Sequence, residues 1–226
     1  IVLLASLVSM PLAEARDVIE LTCNTTDGSD AHNFVNTLYV NALDRLGYDF
    51  KLRNVNRVRA RAIAFKGDSD GICGATRQYQ ASLPESKILR VDVVIGKARI
   101  ELWMRGEDNL DEMLARPDSI IAYSRGDGSA ILSLDRFQFN ATQSVANEVT
   151  GFKMLLAGRV DGFVSINLLS RGVFEVAGLP PSKFQKRVLG SGNIYPYLHQ
   201  RHKDLIEPLK REIEKELVQI GGPLTE

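Results

Sequence analysis

One junction occurs twice in this chain, and it constrains the architecture more than any other feature of the sequence. At 67–71 and again at 158–162, a helix-like segment ends at a glycine, two residues follow, and an Asp-Gly pair leads into an apolar strand. The glycine lets the chain pass through a left-handed backbone conformation that a side chain would resist. The Asp-Gly pair favours a tight turn into the strand. Two copies of the junction therefore predict two similar α/β units.

Strand-like and helix-like segments alternate along the chain from Asp17 onwards. Apolar residues recur at a four-residue step over 34–46 and over 205–220, as on one face of an amphipathic helix. Short apolar segments such as 17–22 and 162–166 are typical of strands, whereas 191–195 is predicted to be a loose connection. This alternation indicates an α/β fold with mostly parallel sheets.

The first ten residues, Ile1 to Met10, form an uncharged apolar run. Ala13 and Ala15, one residue apart, follow it in the small-x-small pattern of a signal-peptidase site. We interpret residues 1–15 as a secretory signal truncated at its start, although a buried strand or a short core helix would give the same apolar run. A signal predicts that the mature protein is periplasmic.

Composition narrows the function classes further. The 226 residues carry 28 basic and 28 acidic side chains, and this zero net charge argues against a nucleic-acid partner. The two cysteines and three histidines are scattered and show no neighbouring metal-ligand pattern, which argues against a structural zinc site. Neither a Gly-x-Ser-x-Gly elbow nor a P-loop occurs in the sequence. We therefore expect no cofactor, no metal and no catalytic residues.

Export would permit a disulfide between Cys23 and Cys73, which lie near the ends of predicted strands. Two buried free thiols are the alternative, because cysteine is often simply a small core residue.

The candidate binding residues lie after the strands, because ligands of open α/β sheets bind outside the carboxyl ends of the strands. Arg77 and Arg125 follow short apolar strands, and a guanidinium can hold a carboxylate or phosphate with two parallel hydrogen bonds. The glycines of the turn at 124–129 let backbone N–H groups point at a ligand, and the helix that begins after the turn favours negative charge. Asp127 or Ser129 of this turn has the alternative role of capping the helix. Arg77 and Arg125 also have an alternative, because a surface arginine is often only solvated. The complete candidate set is Asn24, Thr25, Arg57, Thr76, Arg77, Arg125, Asp127, Ser129 and Asn167.

Several segments resemble a known family. The matching segments are 42–47, 59–71, 89–91, the Met154–Gly162 run, and the closing part from Tyr197 through the last helix. In these the chain resembles the periplasmic solute-binding proteins of bacterial ABC-type uptake systems, in the branch that contains polar amino-acid binders (family 3). The resemblance implies the two-lobed type II periplasmic-binding-protein fold, in which each lobe is a mostly parallel sheet flanked by helices.

The resemblance also implies a domain organisation and a function. Residues 16–103 would form lobe 1, 104–190 lobe 2, and 191–226 would return to lobe 1 with the last helix. A monomer would bind a small polar or anionic solute in the cleft between the lobes and deliver it to a membrane permease, without enzymatic activity.

The sequence departs from the family pattern at three places. The lobe 2 strand ends Ser165-Ile166-Asn167 without the acid that holds an ammonium group, Arg77 comes earlier than expected, and 25–28 replaces an aromatic segment. A standard α-amino-acid ligand therefore does not follow. Two alternatives stay open: a dehydratase-like enzyme using Asp27 or Asp127, and a ligand sensor without transport.

Overall fold

The computed structural model describes residues 15–25, 27–77, 87–137, 139 and 141–225. The predicted signal segment lies outside the described residues except for Ala15. The strands are β1 Val18–Cys23, β2 Asp49–Asn54, β3 Gly71–Thr76, β4 Ile88–Arg90, β5 Gly96–Arg105, β6 Ile120–Ser124, β7 Ala141–Val145, β8 Gly162–Ile166 and β9 Phe184–His199. The α-helices are α1 Asp30–Asp44, α2 Arg57–Lys66, α3 Leu110–Ala115, α4 Gly128–Phe137, α5 Glu148–Leu156, α6 Asn167–Ala177 and α7 Ile206–Gln219.

Two parallel units make up the sheet, as the alternation of strands and helices predicted. In the first unit β1 pairs in parallel with β2 and β3, and in the second β6 pairs in parallel with β7 and β8. The long strands β5 and β9 run antiparallel between the units, so the strand order is β2-β1-β3-β9-β5-β8-β6-β7, with β4 on β9. The α/β prediction is confirmed, and the sheet continues from one unit to the other through the β5–β9 pair.

The segment 191–195 is a correction to the sequence analysis, because it belongs to β9 and is not a loose connection. Ser191 to Ile194 pair with Arg99 to Gly96 of β5, and Ile194 and Tyr195 also pair with β3. The glycines at 190 and 192 weaken the local strand signal in the sequence. Hydrogen bonds from both neighbouring strands hold the extended conformation here, and a local pattern does not contain that information.

The buried side chains fall into separate clusters on the two sides of the β5–β9 pair. One large cluster joins β1, α1 and α7 through residues such as Leu21, Leu38 and Leu209. Two other clusters are formed by residues from Ile100 to Leu189 of the sequence. One of these is centred on Phe152, which packs among four further aromatic rings. Each unit therefore has a core of its own. Within the described part of the chain, no helix combines the length and apolar character needed to cross a membrane.

The repeated junction forms the same hydrogen-bonded structure in both units. Gly67 and Gly158 have φ angles of 82° and 66°, which are left-handed. The Asp70 carboxylate accepts from the Glu20 N–H at 2.8 Å, and the Asp161 carboxylate accepts from the Ile120 N–H at 2.9 Å. Each carboxylate also accepts from an arginine at 2.7 Å, Arg201 in the first unit and Arg116 in the second. Each aspartate thus fixes its own strand to the neighbouring strand of its unit.

The carboxyl group of Asp70 is expected to make the protein sensitive to acid. Burial alone would raise its pKa, but hydrogen bonds from the Glu20 N–H, Arg201 and His202 hold the pKa below its usual value. A pKa lower in the native than in the unfolded state stabilises the fold above about pH 5, and this contribution disappears as the pH falls through the native pKa. Asp70→Asn should therefore lower the free energy of unfolding at pH 7 by about 1–2 kcal/mol.

Urea unfolding between neutral pH and pH 2 measures this effect. The difference between wild type and Asp70→Asn should shrink as the pH falls, whereas exposed Asp118 provides a control variant, Asp118→Asn, that follows wild type throughout. A difference that stays constant down to pH 2 would show that ionisation of Asp70 contributes nothing.

Candidate functional site

A cavity of about 460 Å³ lies between the two units, at the carboxyl ends of their parallel strands. Thr22 and Asn24 at the end of β1 and Thr76 at the end of β3 line it from the first unit. The turn after β6 and the end of β8 line it from the second unit. The volume is within the roughly 300–1,000 Å³ typical of small-molecule sites. The strand ends meet at one cavity, as the sequence analysis expected.

An ion-pair cluster connects the two units across this cavity. Arg57, the first residue of α2, is paired with Asp127 from the turn before α4, and its guanidinium also lies 3.5 Å from a Glu148 carboxylate oxygen. Burial alone would lower the pKa of Arg57, but the Asp127 and Glu148 carboxylates outweigh it, so the net pKa shift is upward. Asp127 also caps α4, because its other oxygen accepts from the N–H groups of Ser129 and Ala130 at 3.1 Å.

The units also touch at two further points beside the ion pairs. Thr76 and Ser129 share a hydrogen bond between their hydroxyls at 3.3 Å. Gly126 has a φ of 82°, and a Cβ added there would lie 2.7 Å from the Val58 side chain. Glycine is required at 126 by the left-handed turn and by this close approach. These contacts make the arrangement a closed one.

Cys23 and Cys73 form a disulfide between the neighbouring strands β1 and β3, with their Cα atoms 5.4 Å apart. Both side chains are buried, and Cys73 lines the cavity. The structure therefore selects the disulfide over two free thiols. The bond fixes the ends of the two strands that carry the cavity wall of the first unit.

Most of the sequence-derived candidates meet at the cavity. The candidates that line it are Asn24, Thr25, Arg57, Thr76, Asp127 and Ser129. Arg77 and Arg125, expected to anchor an anion, are exposed and are not among the lining residues. Asn167 is buried beside the cavity, where its side chain accepts from the Arg99 N–H at 2.7 Å and donates to the Thr225 carbonyl at 3.2 Å.

Sequence reasoning missed the apolar part of the wall. Phe34 and Val35 of α1 line the cavity together with aliphatic residues of α4 and α6. Ile131 and Leu132 keep 39% and 53% of their surface exposed. An apolar pair in the first turns of a helix, directly after a glycine-rich turn, was the available signal. Glu148 was also missed, because only the tertiary structure brings the start of α5 to Arg57.

The C-terminal segment closes the back of the cavity. Leu224 donates its N–H to the Ile95 carbonyl at 3.0 Å, and its own carbonyl accepts from the Lys97 N–H at 2.8 Å, so it extends the sheet beside β5. Its side chain lines the cavity. Among the described residues, no group of three or more histidine, cysteine or carboxylate side chains is arranged to hold a metal ion.

Comparison with known sequences does not show the family of the chain. No family model matches the chain. An uncharacterized protein of Shewanella oneidensis is 24% identical over 184 residues, which cover 79% of this chain and 69% of that protein.

Comparison with solved structures identifies the fold. A histidine-bound substrate-binding protein of an ABC uptake transporter from Streptococcus pneumoniae superposes with a TM-score of 0.72 at 14% identity, covering 90% of this chain and 88% of that one. A point mutant of arginine-bound ArgBP from T. maritima gives 0.69 at 14% identity, with 88% of this chain and 95% of that one covered. An ancestral amino-acid-binding protein, a precursor of cyclohexadienyl dehydratase, gives 0.68 at 13% identity, with 90% of each chain covered.

The chain therefore has the two-lobed type II periplasmic-binding-protein fold. The two parallel units are its lobes, β5 and β9 are the crossing strands, and the cavity is the interlobe cleft. This is the fold shared by the amino-acid-binding proteins of ABC transporters.

Proposed function

We propose that this protein binds a small-molecule solute in the cleft between its lobes, closes over it outside the cytoplasm, and delivers it to a membrane permease. One observation carries the proposal: both lobes contribute walls to a cavity of about 460 Å³, and Arg57 of one lobe is paired with Asp127 and Glu148 of the other. A ligand that contacts both lobes only in the closed arrangement shifts the equilibrium from the open form to the closed form.

Two further observations support a location outside the cytoplasm and a role in uptake. The disulfide between Cys23 and Cys73 fits an oxidising compartment such as the periplasm. The solved relatives of this fold include the histidine-bound substrate-binding protein of an ABC uptake transporter. The lobes we propose comprise residues 16–103 and 104–190, with 191–226 returning to the first, and the molecule acts as a monomer.

The interactions of the acidic residue in the cavity wall favour solute binding over catalysis. Asp127 is the carboxylate among the described lining residues, and it is committed to Arg57 and to the helix cap. A general acid or base needs to exchange its proton with a bound substrate, and a carboxylate held in this way is a poor candidate.

A metabolite panel screened by thermal unfolding tests the proposal. A ligand present at one hundred times its Kd stabilises the native state by about 2.7 kcal/mol. For a chain of this size that corresponds to a rise in Tm of about 5–10 °C. Co-purified small molecules, identified by native mass spectrometry, extend the panel to the natural solute.

A variant that fills the cavity makes the test specific. Gly128 lines the cavity and has nothing within 4 Å of an added Cβ, so Gly128→Trp adds an indole at the cavity wall without a clash at its first atom. The stabilisation should disappear in Gly128→Trp and persist in Val218→Trp, since Val218 is 83% exposed on α7 and lies outside the cavity lining. Equal stabilisation of both variants, or no ligand at all, would contradict the proposal.

A further inference from the structure

The cavity wall is apolar on both sides, which sets the first requirement for a ligand. Phe34 and Val35 line it from lobe 1, and Leu132, Leu168 and Leu169 line it from lobe 2. Exposed apolar surface gathered inside a concave site marks a place where an apolar group binds. Leu132, with 53% of its surface exposed, is left uncovered by the protein itself.

Among the described residues that line the cavity, the buried charges are already compensated, which sets the second requirement. The guanidinium of Arg57 is paired with Asp127 and lies 3.5 Å from Glu148, and Arg61 at the cavity wall is exposed to solvent. A carboxylate ligand would have to compete with two carboxylates for Arg57. An ammonium ligand would have to compete with Arg57 for Asp127. A buried ion without its own counter-charge is strongly disfavoured.

Neutral hydrogen-bonding groups remain at one end of the cavity, which sets the third requirement. They are the side-chain amide of Asn24 and the hydroxyl group of Thr76. The Thr76 hydroxyl already shares a hydrogen bond with the Ser129 hydroxyl at 3.3 Å, and its oxygen, with two lone pairs, keeps an acceptor position. An amide provides both a donor and acceptors. This end therefore fits a hydroxyl, carbonyl or amide group of a ligand.

We infer that the cleft takes an uncharged small molecule with an apolar body and one neutral hydrogen-bonding head. This inference rests on the proposed function, since it names the class of solute that the same cavity holds. The head lies at the ends of β1 and β3, and the body lies between α1 of lobe 1 and the helices α4 and α6 of lobe 2. The apolar body covers the side chains that the closed form leaves exposed.

Two series of compounds with a constant body and a changing head test the inference. The aromatic series is hydrocinnamamide, hydrocinnamate, phenylpropylamine and L-phenylalanine, and the aliphatic series is hexanamide, hexanoate, hexylamine and L-norleucine. Calorimetric titration of the full chain should show that in at least one series the amide binds about tenfold or more tightly than every charged member, because only the amide enters without an uncompensated ion.

A matched pair of variants places the binding in the cavity. Leu132→Ser removes an exposed apolar side chain from the cavity wall and should weaken amide binding about fivefold or more. Val218→Ser removes an even more exposed apolar side chain from α7, outside the cavity lining, and should leave the affinity unchanged. Equal effects of the two variants would overturn the inference.

The outcomes separate this inference from the proposed function. If in both series a carboxylate, an ammonium or an amino acid binds more tightly than the amide or within tenfold of it, the inference is overturned and solute binding stays intact. Failure of both amides to bind also overturns the inference, while the metabolite panel with Gly128→Trp decides the proposed function independently.

Discussion

The double variant Asp127→Asn/Glu148→Gln is expected to lose the closed form of the protein. In the closed arrangement Arg57 would be left buried between the lobes without a counter-charge, whereas in an open form water would solvate it. Removing the partners of a buried ion pair costs about 3–5 kcal/mol. Since every 1.4 kcal/mol changes an equilibrium constant tenfold, the ratio of closed to open molecules should fall by a factor of about 100 or more.

Small-angle X-ray scattering measures this change as an increase in the radius of gyration. Asparagine at 127 keeps the helix-capping acceptor and removes only the charge, so the start of α4 is preserved. Adding Arg57→Leu to the double variant removes the stranded cation and should restore the closed form. A radius of gyration equal to that of the wild type in the double variant would show that the ion pairs do not hold the lobes together.

Removal of the disulfide is expected to destabilise the fold by a free energy similar to that of losing the ion-pair partners of Arg57. The residues at 23 and 73 are separated by 50 positions, and a cross-link closing a loop of that length stabilises a protein by up to about 4 kcal/mol through the unfolded chain. The variant Cys23→Ala/Cys73→Ala should therefore lose about 3–4 kcal/mol of unfolding free energy, which corresponds to a fall in Tm of about 6–16 °C.

Urea unfolding with and without reductant provides the internal control. Dithiothreitol should destabilise the wild type to the level of the double variant and leave the double variant unchanged. If a thiol assay shows complete reduction of the wild type while its unfolding curve stays in place, the disulfide does not stabilise the fold.

The sequence predicted the parts of the fold that depend on local patterns. The Asp-Gly junctions at 70–71 and 161–162 occupy equivalent positions in the two lobes, and the strand at 162–166 has the predicted bounds. Each of these follows from a turn residue or an apolar period that neighbours in sequence supply. The extended segment at 191–195 was missed because its conformation depends on β5 and β3, which are distant in sequence.

The candidate site was predictable only in outline, for a similar reason. The rule that ligands bind beyond the carboxyl ends of strands led to Asn24, Thr76 and Asp127, all of which line the cavity. That rule does not say which way a side chain points, so Arg77 and Arg125 were given a role as anchors although they lie outside the lining. The pairing of Arg57 with two carboxylates arises only when the lobes meet.

The β5–β9 pair has a mechanical consequence. Both connections between the lobes run through one ladder of backbone hydrogen bonds, with a register shift between Ile100 and Glu101 opposite Gly190 and Val188. Relative rotation of the lobes therefore twists this hydrogen-bonded two-stranded ribbon, which is not a flexible linker. Closing therefore requires little further ordering of the backbone at the pivot, so little of the favourable free energy of ligand contact is lost to backbone ordering there.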